Sequence, residues 1–206
     1  MKELFNINEW LFANLDLIEE CKEKKIKPIV FIAGASSSGK SFLSKQLKLF
    51  LSNRNYKSII ISTDNYNNGL AKNIFSIVDK KYFNGDIKNK TEIISKIKEI
   101  IENEDFDKKF CKENLIKIKN ECSNLINVDA HTFLTKLAYE FENINFDNKK
   151  IYNLKELVKD LLYLASDKSI VEKQYSKLTS ERVATNKQIC GKDVDVIIVE
   201  GIYALD

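Results

Sequence analysis

A glycine- and serine-rich stretch near the start of the chain has the composition of a loop that binds phosphate. It fits the pattern GxxxxGK[ST], and its residues are Gly34, Ala35, Ser36, Ser37, Ser38, Gly39, Lys40 and Ser41, with Phe42 directly after them. Small residues allow successive backbone N–H groups to turn toward one anion, and a following helix adds its positive end. In this pattern the lysine reaches the β- and γ-phosphates of a nucleotide, while the serine hydroxyl binds Mg²⁺.

Two acidic residues at the ends of apolar runs could complete a site of this kind. Asp64 directly follows the run at 58–63, and Glu200 lies at the end of the run at 194–201. Ligands of parallel sheets bind at the carboxyl ends of the strands. A carboxylate placed there can accept a hydroxyl proton during phosphoryl transfer, or it can hold Mg²⁺. Asp64 is therefore a candidate base and metal ligand, and Glu200 a candidate metal ligand. Taken alone, the residues leave open that Asp64 only caps a turn.

The apolar patterns around these residues predict an α/β fold. Continuous runs rich in β-branched residues indicate three strands buried on both faces, at 28–33, 58–63 and 194–201. Apolar residues at helical spacing indicate helices at 1–25, 40–51 and 154–165. Strand, loop, helix and strand in this order are typical of a βαβ unit. We expect a parallel, nucleotide-binding sheet with flanking helices and a helical insertion.

The predicted insertion covers residues 82–143, which are rich in Asn, Lys, Ile and Glu. Five isoleucines recur there at the spacing of one helix face, namely Ile93, Ile94, Ile97, Ile100 and Ile101. The charged residues of this segment are interpreted as a solvated surface and not as a binding patch. The chain is thereby divided into four parts, which are a helical lead-in (1–27), two parts of the phosphate-loop core (28–81 and 144–206) and the insertion.

Composition excludes several classes of protein. The net charge of the 206-residue chain is only +3, so nothing in it calls for a nucleic acid as partner. No apolar run reaches the roughly 18 residues that a membrane span requires. The four cysteines, Cys21, Cys111, Cys122 and Cys190, lack paired spacing, and His131 is the single histidine, so the pattern does not favour a zinc site. We expect four reduced thiols in a cytoplasmic protein without a membrane partner.

Several stretches together resemble the uridine kinase and phosphoribulokinase family, and they are most similar to bacterial uridine kinase-like nucleoside kinases. The stretches are "IAGASSSGKSF", "STDNYN", "NFDNKKIYNLKELVKDLL", "QYSKLTSERV" and "VIIVEGIYALD". Residues 82–143 are not covered. The resemblance implies a phosphate-loop kinase fold, ATP (or GTP) and Mg²⁺ as cofactors, and a nucleoside as the small-molecule partner.

The resemblance also implies roles for the residues on the nucleotide side. Lys40 and Ser41 match the phosphate and magnesium positions of the family. Asp64 matches the general base that takes the proton from the 5′-hydroxyl of the nucleoside. Glu200 matches the acidic position near the metal.

On the nucleoside side, Asp147 matches the acid that binds the 2′- and 3′-hydroxyls of the ribose, and Phe146 lies beside it. Tyr175 and Arg182 match positions that face the nucleoside. A carboxylate can accept hydrogen bonds from two vicinal hydroxyls at once, which favours ribose over deoxyribose. Asn67 stands where uridine kinases often have a tyrosine, so the resemblance does not settle which base is bound.

The family continues beyond the stretch similar to "EGIYAL" with two more strands and an arginine-bearing lid, whereas this chain ends at Asp206. The resemblance predicts that the three strands are ordered second, third, first, with the strand at 28–33 at an edge. An apolar edge is a template for pairing with another chain. We therefore expect the isolated chain to form homo-oligomers or to depend on a missing C-terminal segment, and to have low kinase activity.

The function that the resemblance implies is ATP-dependent phosphorylation of the 5′-hydroxyl of a ribonucleoside, uridine or cytidine. Two alternatives stay open. The chain could be a related kinase with another hydroxyl substrate, such as a sugar phosphate or pantothenate, or it could be an inactive fragment that only binds nucleotide. Asp147 favours a nucleoside among the kinases, and nucleotide binding without turnover would indicate the fragment.

Overall fold

The chain folds into two compact units in a computed structural model, which describes residues 6–104 and 111–205. The sheet unit comprises Met1–Tyr66, Asn153–Lys173 and Ala184–Asp206. The helical unit comprises Asn67–Tyr152 and Gln174–Val183. These boundaries differ from the four parts predicted from the sequence, and that division stays a prediction.

Seven helices and seven strands are formed by the described residues. The helices are α1 (Ile7–Glu23), α2 (Lys40–Ser52), α3 (Leu70–Tyr82), α4 (Lys90–Glu102), α5 (Lys112–Cys122), α6 (Ala130–Glu142) and α7 (Leu154–Ala165). The strands are β1 (Ile29–Ala33), β2 (Ser58–Ser62), β3 (Ser169–Val171), β4 (Gln174–Ser176), β5 (Glu181–Val183), β6 (Gln188–Cys190) and β7 (Val196–Gly201). None of the described helices is long and apolar enough to cross a membrane.

The central sheet is parallel and has the order β1-β7-β2, which confirms the predicted order of the three strands. All six residues of β7 are buried, as expected for a strand with a partner on each side. The expectation of burial on both faces is wrong for β1, where only Ile32 is buried and Phe31 is 43% exposed. It is also wrong for β2, where Ile61 alone is buried. Both are edge strands of the sheet formed by the described residues, so their open sides face away from the core.

Helices cover both faces of the sheet, because successive side chains of a strand point to opposite faces. Val196 and Ile198 pack in a cluster with α1 and α2, to which these helices contribute Leu11, Leu15, Ile18, Leu47 and Leu51. Ile197 and Val199 pack in a second cluster with α7, which contributes Leu157, Leu161 and Leu164. Two apolar faces on one strand explain why β7 is an uninterrupted hydrophobic run in the sequence.

The first helix begins later than predicted. The apolar spacing indicates a helix over 1–25, whereas α1 begins at Ile7 and ends at Glu23; residues 1–5 lie outside the described residues. Asn6 caps the helix, since its side chain accepts hydrogen bonds from the backbone N–H groups of Asn8 and Glu9. The side-chain Nδ2 of Asn6 also donates to Glu9 Oε1 at 2.7 Å, so the two side chains at the start of the helix are joined directly.

The core of the helical unit is built by the predicted isoleucine stripe. Ile93, Ile97, Ile100 and Ile101 are buried, and Ile94 packs against them. They share one cluster with residues of α3, α5 and α6, namely Ile74, Phe75, Val78, Ile118, Phe133 and Leu137. The unit also contains the antiparallel pair β4–β5, which the sequence patterns did not predict.

Candidate nucleotide and substrate sites

Residues 34–39 of the motif form a largely exposed loop between β1 and α2, and Lys40 and Ser41 are the first two residues of α2. Two of its residues have left-handed backbone conformations, Ser37 with φ of +60° and Gly39 with φ of +88°. Gly39 provides no side-chain cap for α2, and the first turn of this helix contains no acidic residue. The positive end of the helix is therefore left to an anionic ligand, which is the arrangement that binds phosphate.

The loop is closed by contacts between its own residues. The Lys40 ammonium donates to the Ala35 carbonyl oxygen at 2.6 Å, and the Ser38 N–H donates to the same oxygen at 3.2 Å. A Cβ atom on Gly34 would lie 2.8 Å from Ser38 Oγ, so a larger residue there would have to displace the Ser38 side chain. Phe42 is 59% exposed and lies outside the buried side of α2, which is formed by Ser44, Leu47 and Leu51.

The two acidic candidates lie at the carboxyl ends of the parallel strands, where the loop also begins. Glu200 is the sheet neighbour of both Ile32 and Ser62, and its side chain is largely buried. Its Oε2 atom accepts a hydrogen bond of 3.1 Å from the Ser41 hydroxyl. Asp64 is half-buried and follows β2 in the 3₁₀ turn Thr63–Tyr66, which contacts β7. The pairing register of the three strands therefore places the loop, Asp64 and Glu200 at the carboxyl ends of the central sheet.

The Ser41–Glu200 contact provides the kind of ligands that Mg²⁺ takes. Mg²⁺ prefers oxygen ligands and keeps several waters, so one or two protein oxygens plus phosphate oxygens complete its shell. A hydroxyl oxygen and a carboxylate oxygen 3.1 Å apart fit this requirement. Among the described residues, no group of three or more His, Cys, Asp or Glu could hold a metal on its own. Ser41 and Glu200 would hold the ion together with a bound nucleotide.

Close packing beside Glu200 demands the glycine that follows it. A Cβ atom on Gly201 would lie 1.8 Å from Thr63 Oγ1, and the φ of Gly201 is +149°. Thr63 is fully buried, and its hydroxyl has no hydrogen-bond partner among the described atoms. The end of β7 and the turn that carries Asp64 are therefore in direct contact.

The residues predicted to bind the nucleoside all belong to the helical unit. Phe146 and Asp147 lie in an exposed turn, in which the Asp147 N–H donates to Asn145 Oδ1 at 2.9 Å. Tyr175 and Arg182 are opposite each other in the β4–β5 pair, and both are half-buried. The predicted residues therefore come from two separate segments of this unit.

Two residues that were given no binding role connect these segments. Arg182 Nε donates to the Asn67 carbonyl oxygen at 2.9 Å, and Asn67 forms an antiparallel bridge with Tyr152. The Tyr152 hydroxyl in turn donates to the Phe146 carbonyl oxygen at 3.1 Å. The buried Asn67 side chain accepts from the Gly69 N–H at 2.9 Å. Asn67 is thus a structural link at a position where the family often has tyrosine.

Glu181 is a further residue that sequence patterns missed. It is 1% exposed, and its Oε1 accepts a hydrogen bond of 2.7 Å from the Ala71 N–H. Burial raises the pKa of the Glu181 carboxyl, while the Ala71 N–H and the nearby Lys98 ammonium act in the opposite direction. A strand of three residues is too short to show a periodic pattern in the sequence, so the burial of Glu181 becomes apparent only from its contacts in the structure.

Comparisons with known proteins agree with this architecture. The family model described as "Phosphoribulokinase / Uridine kinase family" matches residues 89–206, and one described as "Chromatin associated protein KTI12" matches residues 27–121. No curated protein matches the chain. The solved structure of the YGR205w protein has a TM-score of 0.52 and 16% identity, covering 97% of this chain. A protein described as a fructose transport system kinase, from Silicibacter sp. TM1040, has a TM-score of 0.46 and 12% identity, covering 91% of this chain.

The chain spans 54% of the length of the YGR205w structure and 62% of the Silicibacter structure. At 16% identity the likeness to the YGR205w structure shows the fold alone, an α/β fold with a parallel sheet and flanking helices. The first family model covers more than half of the residues, including Asp147, Arg182 and Glu200, although not the phosphate loop. On the strength of that match, the chain belongs to the phosphoribulokinase and uridine kinase family.

Proposed function

We propose that this protein transfers the γ-phosphoryl group of ATP (or GTP) to the 5′-hydroxyl of a ribonucleoside, uridine or cytidine. The observation that carries the proposal is the 3.1 Å contact between Ser41 and Glu200, at the sheet edge where Asp64 also lies. A metal-ligand pair, a phosphate loop and a candidate base at one edge are the parts that phosphoryl transfer needs. Membership of a family of kinases supports the same reaction.

The residues of the sheet unit divide the work of the reaction. The loop binds the phosphates through its backbone N–H groups and the start of α2. Lys40 stabilises negative charge on the transferring group, after exchanging its bond to the Ala35 carbonyl for phosphate oxygens. Mg²⁺, when bound beside Ser41 and Glu200, neutralises charge on the phosphates. Asp64 accepts the proton of the attacking hydroxyl.

The proposed substrate class rests on the helical unit. Asp147 is exposed in a turn and offers a carboxylate to two neighbouring hydroxyls, which a ribose presents and a 2′-deoxyribose does not. Arg182 and Tyr175 supply a planar cation and an aromatic ring from one cross-strand pair. All four described cysteines are free, which supports a reducing compartment such as the cytoplasm.

A sugar phosphate is the second candidate substrate, because the matching family model also covers phosphoribulokinases. Asp147 could then bind hydroxyls of the sugar, and Arg182 could pair with its phosphate. Pantothenate is the other hydroxyl substrate considered for a related kinase, and it is tested in the same way. The two candidate substrates differ in which group the binding affinity depends on, the base of a ribonucleoside or the phosphate of a sugar phosphate.

The decisive experiment is a phosphotransfer assay with ATP and with GTP over a panel of ribonucleosides, 2′-deoxyribonucleosides, sugar phosphates and pantothenate. The proposal expects a 5′-monophosphate from uridine or cytidine and little product from the deoxy compounds. The Lys40→Ala variant serves as the inactive control. Phosphorylation of a sugar phosphate or pantothenate instead would replace the proposed substrate. Nucleotide binding by calorimetry without any turnover would contradict the assignment as a kinase.

A further inference from the structure

Helix α3 in the helical unit begins without a cap of its own. Its N-cap is Gly69, whose φ is +89° and which has no side chain to accept hydrogen bonds. The first N–H groups of a helix have no acceptor within that helix, and leaving them unpaired in a buried place is costly. Leu70 and Ala71 are both buried, so their N–H groups need partners from elsewhere in the fold.

The β4–β5 pair supplies these partners. The Leu70 N–H donates to the Ser180 carbonyl oxygen at 2.8 Å, and the Ala71 N–H donates to Glu181 Oε1 at 2.7 Å. The negative charge of Glu181 lies at the positive end of α3, which is the favourable orientation. Lys98 Nζ is 3.6 Å from Glu181 Oε2. Glu181 therefore acts as the cap of a helix whose second residue, Ala71, lies 110 residues earlier in the chain.

The fit around this carboxylate leaves no spare room. A Cβ atom on Gly69 would lie 2.3 Å from Glu181 Oε2, so even the smallest side chain at position 69 would displace the carboxylate. The next residue, Arg182, is attached to the same segment, because its Nε donates to the Asn67 carbonyl oxygen at 2.9 Å. Three consecutive residues of the hairpin thus contact the five-residue segment 67–71.

We infer that Glu181 is a positioning residue for the nucleoside, acting through Arg182 and its cross-strand neighbour Tyr175. Neighbouring residues of a strand point to opposite faces, so fixing the Glu181 side chain on α3 fixes the direction in which Arg182 projects. Tyr175 is held in turn by its pairing with Arg182. This inference rests on the proposed function, since it assumes that Arg182 and Tyr175 contact a ribonucleoside.

Asp79 provides a matched control at the other end of α3. It is 4% exposed, its Oδ1 accepts from the Ile87 N–H at 3.1 Å, and its Oδ2 pairs with Lys90 at 2.8 Å. Asp79→Ala therefore removes the same kind of buried carboxylate from the same unit without touching the hairpin. Glu181→Ala removes the positioning contact, and Glu181→Gln keeps an oxygen that can accept from Ala71. Gly69→Ala leaves the carboxylate in the chain but displaces it.

The test measures the dissociation constants of the full chain for uridine, cytidine and ATP by calorimetry, with hydrogen exchange of residues 174–183. Glu181→Ala and Gly69→Ala should weaken nucleoside binding by about tenfold, as expected when one hydrogen bond to a charged group is lost. ATP affinity should change by less than about twofold, because the contacts of Glu181 are with Ala71 and Lys98 and not with the phosphate loop. Glu181→Gln should restore nucleoside affinity, and Asp79→Ala should leave it unchanged. Exchange in 174–183 should accelerate only in Glu181→Ala and Gly69→Ala.

Three results would overturn the inference, each for a separate reason. Equal losses in Glu181→Ala and Asp79→Ala would mean that loosening of the helical unit is the cause. Unchanged exchange in both Glu181→Ala and Gly69→Ala would show that Glu181 does not hold the hairpin. If the unaltered protein binds neither nucleoside, the proposed substrate is wrong, and so is the role of Glu181 in binding it. Hydrogen exchange then still decides whether Glu181 fixes the hairpin.

Discussion

Ser41 and Glu200 are 159 residues apart in the sequence, and a 3.1 Å hydrogen bond joins the hydroxyl of one to the carboxylate of the other. The bond connects the first turn of α2 with the end of β7. Because both oxygens can bind Mg²⁺, the magnesium requirement of the reaction should respond to either residue. Glu200→Gln and Ser41→Ala should each raise the magnesium concentration for half-maximal activity by roughly tenfold or more. Titration of activity with Mg²⁺, after removal of the metal by a chelator, measures this.

Glu172→Gln is a suitable control for that titration, since Glu172 forms its ion pair with Lys187 in the same unit. A Glu200→Gln protein with an unaltered magnesium dependence would remove Glu200 from the metal site.

Lys40→Ala should abolish turnover, because a point charge near the β- and γ-phosphates is worth several kcal/mol in a site that excludes water. We expect kcat to fall by at least roughly a hundredfold. Lys48 is an exposed lysine of the same helix, so Lys48→Ala controls for the loss of a positive charge. Steady-state kinetics of the two variants would reject the role of Lys40 if their kcat values were similar.

Asp64→Asn should leave nucleotide binding intact and reduce kcat by about 10²–10⁴, the usual contribution of a general base. The expected pattern is a large change in kcat with little change in KM for ATP. Asp193 also lies in a 3₁₀ turn of the sheet unit, so Asp193→Asn is the matched control. Near-normal kcat in Asp64→Asn would leave Asp64 as a turn residue without a catalytic role.

Asp147→Ala should reduce the preference for a ribonucleoside over its 2′-deoxy analogue. The change removes hydrogen bonds to two hydroxyls, each worth about 1.5–3 kcal/mol when the acceptor is charged. Competition between uridine and deoxyuridine gives the ratio of kcat/KM directly. Glu142→Ala removes another exposed carboxylate of the helical unit and should not alter that ratio. An unchanged ratio in Asp147→Ala would show that the similarity of the "NFD" stretch is accidental.

Cys122 should be the one described thiol that resists modification in the folded protein. It is fully buried, and burial raises the pKa of its thiol to about 11, whereas Cys21, Cys111 and Cys190 are partly exposed. The reactive form is the thiolate, so labelling at pH 8 should be slow and should accelerate only as the pH approaches the pKa. Thiol titration should count three fast groups before unfolding and four afterwards. Four fast groups in the native protein would contradict the buried position.

Elements with their own periodicity could be predicted from the sequence. The limits of α7 were predicted to the residue, and α2 within one residue, because amphipathic spacing and the phosphate loop define them. The order of the sheet followed from the family resemblance and is confirmed. The partial exposure of β1 contradicts what its continuous apolar run indicates, since such a run does not say how many neighbours a strand has, whereas the resemblance places this strand at an edge.

The contacts around the candidate nucleoside residues could not be predicted. The strands β4 and β5 have three residues each, which is too short for an alternating pattern to stand out. Asn67 and Glu181 are polar residues buried by tertiary contacts, and their types alone suggest exposure. Each has one hydrogen bond to a segment more than 100 residues away, from Arg182 to the Asn67 carbonyl oxygen and from Ala71 to the Glu181 carboxylate.

The central position of β7 has a consequence for synthesis of the protein. β1 and β2 pair with β7 and not with each other, so neither has its sheet partner until residues 196–201 have left the ribosome. The helices α3 to α6 all precede residue 143, and their mutual contacts can form much earlier. Pairing across such long sequence separations is slow. During translation β1 and the phosphate loop that follows it therefore remain without a paired strand until β7 has been made. In this interval the exposed strand is prone to aggregation, and we expect chaperones to bind the chain then.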